Sequence, residues 1–434
     1  MKFGVFPFLD PSSGGVYQYS LSILQGCEVF AKRNPQHKFV IISQDHFPPD
    51  LPFLNSGVFS YELMLFPPSQ FEEIKKTSKR LLGEKTWYKL RKGLQILKDF
   101  DNHHIDLRFS NFLQKLNIDL MIYPAPVPFS FQVDVPFIMA IHDLQHRLQP
   151  QFTEVSANGE WERREFLFRN ACHYGTVILA DSQIGKEDIL RFYGEYTIPI
   201  DKVRILPYVP ASYIAKTIST EEIARVRMLY HLPEQYLFYP AQFWPHKNHL
   251  RIIQALALLK TQHGHVYSLV LCGSHSNRLR KNTFDEVMRE ARRNGVISDI
   301  LYLGMVPNEH MAALYAGGRG LIFPTFFGPT NIPIIEAWNL GCPVITSDIR
   351  GIREQVGDAG ILIDPNSVES IAAGIRRLWS DSQLRESIIQ KGREKTSNYS
   401  SKDFTELLIE IIEGAIQKVN KKSNKNEFDG KNSK

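Results

Sequence analysis

Cysteine is scarce. The 434 residues hold four, Cys27, Cys172, Cys272 and Cys342, with no close pair, which excludes a disulfide framework or a thiolate zinc site and points to reduced, mostly buried thiols. Long apolar runs are missing too: no stretch approaches the roughly 18 uninterrupted apolar residues of a membrane span. Met1 to Asp10 is too short, and too polar beyond, for a signal peptide, so the chain is expected in the cytoplasm. The histidine pairs His103-His104 and His263-x-His265 lack carboxylates or thiolates at ligand spacing, so no metal is expected. Net charge is only +5, and no nucleic-acid motif accompanies it, so nucleic acid is not an expected partner. With 43% hydrophobic and 22% charged residues, a globular chain of two domains is expected.

What is present is a repeated order of apolar strand, turn and helix, the pattern of a doubly wound parallel sheet. In the segment from Phe323 to Glu336, an apolar run from Gly320 ends at Pro324 and a loop follows through Gly328, Pro329 and Thr330. Asn331 stands as an N-cap, Ile332 and Pro333 open the helix, and Glu336 lies within its first turn or so. Such a helix start presents backbone N–H groups and a positive dipole end, while Glu336 offers a bidentate acceptor for vicinal hydroxyls; a nucleoside diphosphate suits both. A second junction joins a strand, Tyr236 to Ala241, to a helix, His249 to Leu259, through Gln242, His246, Lys247 and Asn248. A lysine placed there can aim its ammonium at a phosphate. Taken alone, Gly328, Pro329 and Pro333 equally punctuate an ordinary turn before a solvated Glu336.

The first half repeats the theme. Lys2 to Phe6 reads as a strand leading to Gly14 and Gly15 and a helix from Val16 to Arg33; the glycine pair is either a simple turn or a place of close backbone approach to phosphate. Pro136 to Ile141 is a strand with His142-Asp143 at its carboxyl end, where open α/β sheets bind ligands. Ser182, after the strand Thr176 to Ala180, is sufficiently explained as a helix N-cap.

These segments resemble the nucleotide-sugar site of glycosyltransferase family 4, the retaining enzymes of glycosyl transferases group 1, and the resemblance spans most of the chain. It implies an α/β protein of GT-B fold, two facing Rossmann-like doubly wound domains with a cleft between them. Residues 1–208 would form the acceptor-side domain and 209–400 the nucleotide-sugar domain. A helix over 401–418 would pack back across the domains, and 419–434 would be a disordered polar tail. By the family's Gly-Arg-x4-Lys-Asn-like segment, Lys247 and Asn248 would hold the donor diphosphate. By its Glu-x7-Glu helix, Glu336 would bond the ribose. Two positions depart from the pattern: the first Glu falls on Gly328 and the phosphate-binding Arg on Gln242. Backbone around Gly328, Pro329, Thr330, Asn331 and Ile332 would then substitute, with His246 supporting Lys247. The resemblance also sets Gly14 and Gly15 against the diphosphate and His142 on the donor sugar, with Asp143 orienting the imidazole or capping the next segment.

The implied activity is metal-independent retaining transfer of a hexose or deoxyhexose, mannose-type favoured, from a nucleotide diphosphate sugar to a hydroxyl of a glycan or lipid-linked glycan. No cofactor is required. His142, Asp143 and Lys247 carry the chemistry. A noncatalytic nucleotide-sugar-binding protein, supported by Gly328 and Gln242, and a GT-B epimerase or phosphorylase stay open as alternatives. Lysines and arginines from Lys75 to Lys98 interleave with Leu81, Leu82, Trp87, Leu90, Leu94 and Leu97. That pattern fits an amphipathic helix on an anionic inner-leaflet membrane surface, or equally a solvated helical insertion over about 70–100.

Overall fold

The structure, a computed structural model, describes residues 1–44, 56–65, 86, 106–196, 199–211, 213–214 and 217–431. The basic stretch from Lys75 to Lys98 and the His103-His104 pair therefore lie outside the described residues, Thr86 apart. The chain divides into two compact units, Met1–Pro207 with Phe404–Lys434, and Tyr208–Asp403.

The first unit holds seven parallel strands: β1 (Lys2–Val5), β2 (Lys38–Ser43), β3 (Phe59–Leu63), β4 (Leu120–Tyr123), β5 (Phe137–Ala140), β6 (Val177–Ala180) and β7 (Val203–Ile205), in the order β3-β2-β1-β4-β5-β6-β7. Central strands such as Leu120-Met-Ile-Tyr123 are buried along their whole length, which is why they read as continuous apolar runs rather than alternating ones. The order reverses between β1 and β4, and the crevice at their carboxyl ends is where such a sheet accepts a ligand. Helix α1 (Gly15–Arg33) starts at that end of β1, with Gly14 as its N-cap at φ 62°, a backbone region open to glycine at little cost.

The second unit repeats the construction with six strands: β8 (Leu237–Pro240), β9 (Leu269–Cys272), β10 (Ile300–Tyr302), β11 (Gly320–Phe323), β12 (Val344–Ser347) and β13 (Ile361–Ile363), ordered β10-β9-β8-β11-β12-β13 and parallel throughout. Here the order reverses between β8 and β11, paired at Gly320↔Leu237 and Leu321↔Phe238. The helices that bear on its site are α2 (His249–His263), α3 (Arg278–Arg293), α4 (Ile332–Asn339) and α5 (Ile352–Val356). One apolar core, including Phe238, Leu256, Leu314, Ile345 and Ile371, holds this unit together. All four cysteines are buried and unpaired with one another, and burial pushes the Cys272 and Cys342 thiols up to about 12.

The last helix is α6 (Ser401–Lys431), which continues past 418. The extension is polar, but neither proline nor glycine occurs between Lys418 and Asp429 to break it, and Lys and Glu are good helix formers. α6 docks on the first unit through Phe404 against the ring of Tyr19, Arg33 on Glu406, and Leu408, which fills the space a side chain at Gly26 would need.

Candidate functional site

The two junctions singled out in the second half meet at the β8/β11 switch point. The carbonyl of His246 accepts hydrogen bonds from Phe326 N at 2.8 Å and from Thr325 Oγ1 at 3.2 Å. Asn248 adopts φ 61° and is 3% exposed; its Nδ2 donates to Pro324 O at 2.9 Å and to Pro365 O at 2.8 Å. The side chain expected on the diphosphate therefore clasps three loops together, with both amide protons already used. Lys247 sits between these two residues, its Nζ 5.0 Å from the centroid of the Phe323 ring at the end of β11, and its carbonyl accepts from Tyr239 OH. His249, at the start of α2, stacks on Phe243 with ring centroids 4.3 Å apart, and burial pulls its pKa down to about 3, so it is neutral packing that pins the loop.

Asn331 is the N-cap position of α4, as expected, yet its side chain caps nothing. Gln355 on α5 holds its backbone instead, accepting from Asn331 N at 3.0 Å and donating to Asn331 O at 3.2 Å. Pro333 has no N–H, so this helix start offers fewer donors to a ligand than an N-cap pattern implies. Gly328 has φ 147°, and a Cβ there would lie 2.5 Å from Asn331 Nδ2. Position 328 thus requires glycine, and the adjoining space belongs to the Asn331 carboxamide. Pro329 is held from the other side by Gly351, at φ 92°, whose Cβ would meet Pro329 Cα at 2.7 Å.

Glu336 is 5% exposed, far from the solvated alternative. Tyr315 OH donates to its Oε2 at 2.7 Å, and Tyr213 also bonds the carboxylate. Burial raises its pKa to about 7, the two tyrosines opposing that rise. Neither tyrosine was visible as a site residue from sequence, because nothing in the Tyr315 or Tyr213 neighbourhood pairs them with position 336.

Gln242 accepts from Trp244 Nε1 at 2.8 Å. Over the Trp244 ring, 5.0 Å from its centroid, lies the guanidinium of Arg280 from the first turn of α3. Arg280 is 9% exposed; its Nη2 donates to Ser276 Oγ at 3.0 Å, while Nε is buried with no partner among the described residues. No carboxylate among the described residues pairs with it, and burial lowers its pKa. A cation–π contact contributes about 1–2 kcal/mol, less than the several kcal/mol that burying an unpaired ion costs.

In the first unit, His142 follows β5; its Nε2 donates to Pro124 O at 2.7 Å, and its ring meets Tyr19 of α1 edge-on at 5.0 Å. That bond fixes the proton on Nε2 of the neutral ring, and burial keeps the pKa below the usual value. Tyr19 thereby links His142 to the helix that begins at Gly14 and Gly15. Asp143 Oδ1 accepts from Gln145 N at 2.9 Å and pairs with Arg164 at 3.2 Å, so it caps the next segment. Ser182 Oγ accepts from Gly185 N at 3.0 Å, the capping role expected of it. Among the described residues no group of three or more His, Cys, Asp or Glu side chains is placed to hold a metal ion, and no helix is long and apolar enough to cross a membrane.

Residues 223–395, all within the second unit, match the family model of glycosyl transferases group 1. The chain is 31% identical over 231 residues to O-antigen chain mannosyltransferase B of Escherichia coli, a match that covers 53% of this chain and 58% of that one. It is 23% identical over 277 residues to the serotype-specific mannosyltransferase WbdA of Escherichia coli, covering 63% of this chain but 33% of WbdA. The chain thus spans between a third and three-fifths of the length of these relatives. Among solved structures, WaaG, a glycosyltransferase involved in lipopolysaccharide biosynthesis, aligns over 95% of this chain and 99% of its own with a TM-score of 0.66 at 18% identity. Anabaena HepE in complex with UDP-glucose aligns over 95% of this chain and 100% of its own with a TM-score of 0.68 at 15% identity. These likenesses show the GT-B fold.

Proposed function

We propose that the protein is a retaining glycosyltransferase that moves a hexose or deoxyhexose, mannose-type favoured, from a nucleoside diphosphate sugar to a hydroxyl of a glycan or lipid-linked glycan. The observation that carries this reading is the meeting of the Gln242–Asn248 and Pro324–Asn331 loops at the β8/β11 switch point, with Lys247 between them and the buried, tyrosine-held Glu336 on the helix that follows. Mannosyltransferase relatives and a structural neighbour solved with UDP-glucose support the substrate class.

In this reading Lys247 stabilises the charge that grows on the departing diphosphate, and Glu336 accepts from ribose hydroxyls. The bond between the sugar's anomeric carbon and the phosphate oxygen breaks. The acceptor oxygen bonds that carbon on the same face, and the acceptor proton passes to the departing phosphate oxygen. No metal or side-chain nucleophile enters that balance. His142, neutral and fixed by Pro124 O and Tyr19, offers a hydrogen-bonding group at the carboxyl end of β5, the edge where such a sheet accepts a ligand. Cytoplasmic location, with peripheral contact to the membrane, belongs to the same reading.

A noncatalytic nucleotide-sugar-binding protein is the second reading, favoured by Gly328 and Gln242 where the family has Glu and Arg. Thermal stabilisation by UDP-, GDP-, dTDP- and ADP-sugars, run on wild type, Lys247→Ala and Glu336→Ala, tests the site, since a ligand of the native state raises its apparent stability. A shift with one nucleotide that both substitutions weaken is expected. Release of nucleoside diphosphate when acceptor glycan is added separates transfer from mere binding, and unchanged behaviour of Glu336→Ala would show the site to be misplaced.

A further inference from the structure

Resting on the donor site just proposed, we infer that Arg280 is a second cation of the diphosphate subsite, supplied from α3 in place of the arginine that Gln242 replaces. Three observations converge on it. Arg280 stands on the first turn of α3, which follows β9, and β9 lies beside β8 in the sheet, so this helix start and the loop after β8 occupy the same carboxyl edge. The two loops touch: a Cβ at Gly273 would lie 2.3 Å from Ala241 O, and Phe243 N donates to Ser274 O at 3.5 Å. The Arg280 guanidinium lies on the ring of Trp244, whose Nε1 donates to Gln242 and whose carbonyl accepts from Lys247 N at 2.9 Å. Arg280 and Lys247 are thus tied to one short loop.

The electrostatics name the ligand class. A guanidinium that is nine-tenths buried, holds one serine oxygen, and faces no carboxylate among the described residues is a cation lacking a counter-ion within the protein. The Trp244 ring, 5.0 Å from the guanidinium carbon, holds the cation without neutralising it. A planar fork with unused N–H groups matches the bidentate geometry of a phosphate. Ser276 Oγ, itself accepting from Ser274 Oγ at 3.0 Å, sets the orientation of the fork.

The test is calorimetric titration of the full chain with UDP, GDP, dTDP and ADP, and with the corresponding nucleosides, in wild type, Arg280→Gln and Arg280→Lys. Expected is a loss of about ten- to a hundredfold in affinity for the cognate diphosphate in Arg280→Gln, the size of a lost charge-assisted hydrogen bond. Arg280→Lys should recover part of it, the nucleoside should bind all three proteins equally, and Arg280→Gln without ligand should melt no lower than wild type because an uncompensated buried charge has gone. If wild type binds none of the diphosphates, the donor-site reading fails. If wild type binds one and Arg280→Gln binds it equally well, the donor site stands and the assignment of Arg280 is overturned. Melting of unliganded Arg280→Gln well below wild type, with Arg280→Lys no better, would make Arg280 a packing residue and also overturn the assignment.

Discussion

Tyr315 donates its phenolic proton to Glu336 at 2.7 Å, and both side chains are buried against the second unit's core. Burial raises the carboxyl to about 7 although two tyrosines bond it, so the folded protein holds a proton there that the unfolded chain loses near the ordinary value. A raised acid pKa contributes stability that is present below the unfolded value and lost as pH rises through the folded one. Between about pH 5 and pH 8 the wild type should therefore lose up to about 3 kcal/mol relative to Glu336→Gln. Chemical denaturation of the two proteins across that range checks the slope. A constant difference would show that Glu336 is ionised throughout.

Removing one tyrosine bond moves the same equilibrium. Tyr315→Phe deletes a bond that favours the carboxylate, so the Glu336 midpoint should rise further. If ribose hydroxyls need the ionised form, nucleotide affinity in Tyr315→Phe should fall at pH 7 and recover at pH 9. Affinity reduced equally at both values would point to a packing defect instead.

A carboxylate side chain at position 328 should not be tolerated. Gly328→Glu places a side chain at φ 147° with its Cβ 2.5 Å from Asn331 Nδ2, and such backbone strain costs about 1–3 kcal/mol before any clash. Urea denaturation should show at least that loss, and donor binding should not improve. The double substitution Gly328→Glu with Asn331→Gly should recover part of the stability, because it empties the contested space.

The alternation of strands and helices, and the two loops that meet at the β8/β11 switch point, are legible in the sequence because each rests on neighbours along the chain: an apolar run, a Gly- or Pro-marked turn, a periodic helix. What escaped depends on residues far apart in sequence. The Arg280–Trp244 stack spans 36 positions, Gln355 holds Asn331 from 24 positions on, and Tyr315 reaches Glu336 from 21 back. Asn248 was found by its letter, yet its amide serves Pro324 and Pro365, a use no motif reveals.

Glu165 gives a prediction in the first unit. It accepts hydrogen bonds from Tyr193 OH at 3.0 Å and Arg147 Nε at 2.6 Å, with His146 Nε2 at 3.3 Å, and these partners outweigh burial to hold its pKa down at about 2. A depressed acid contributes stability above the unfolded value that disappears as pH falls through the folded one. Acid unfolding of wild type should thus steepen between about pH 4.5 and pH 2. Glu165→Gln, less stable at pH 7 because Arg147 loses its partner, should lack that component.

Asn248 separates holding the loops from touching phosphate. Its backbone at φ 61° favours glycine, and its amide donates to two carbonyls that converge from different loops. Asn248→Gly keeps the backbone at ease and loses both bonds, which costs about 1–3 kcal/mol. Asn248→Ala adds the left-handed penalty of about 1–2 kcal/mol. Asn248→Asp should be worst, since an ionised oxygen facing Pro324 O and Pro365 O can donate to neither. If stability falls in the order Gly, Ala, Asp while the folded fraction of Asn248→Gly retains nucleotide affinity, Asn248 acts by fixing the loops around Lys247. If Asn248→Gly is stable but loses affinity, its amide must leave those carbonyls to meet the diphosphate.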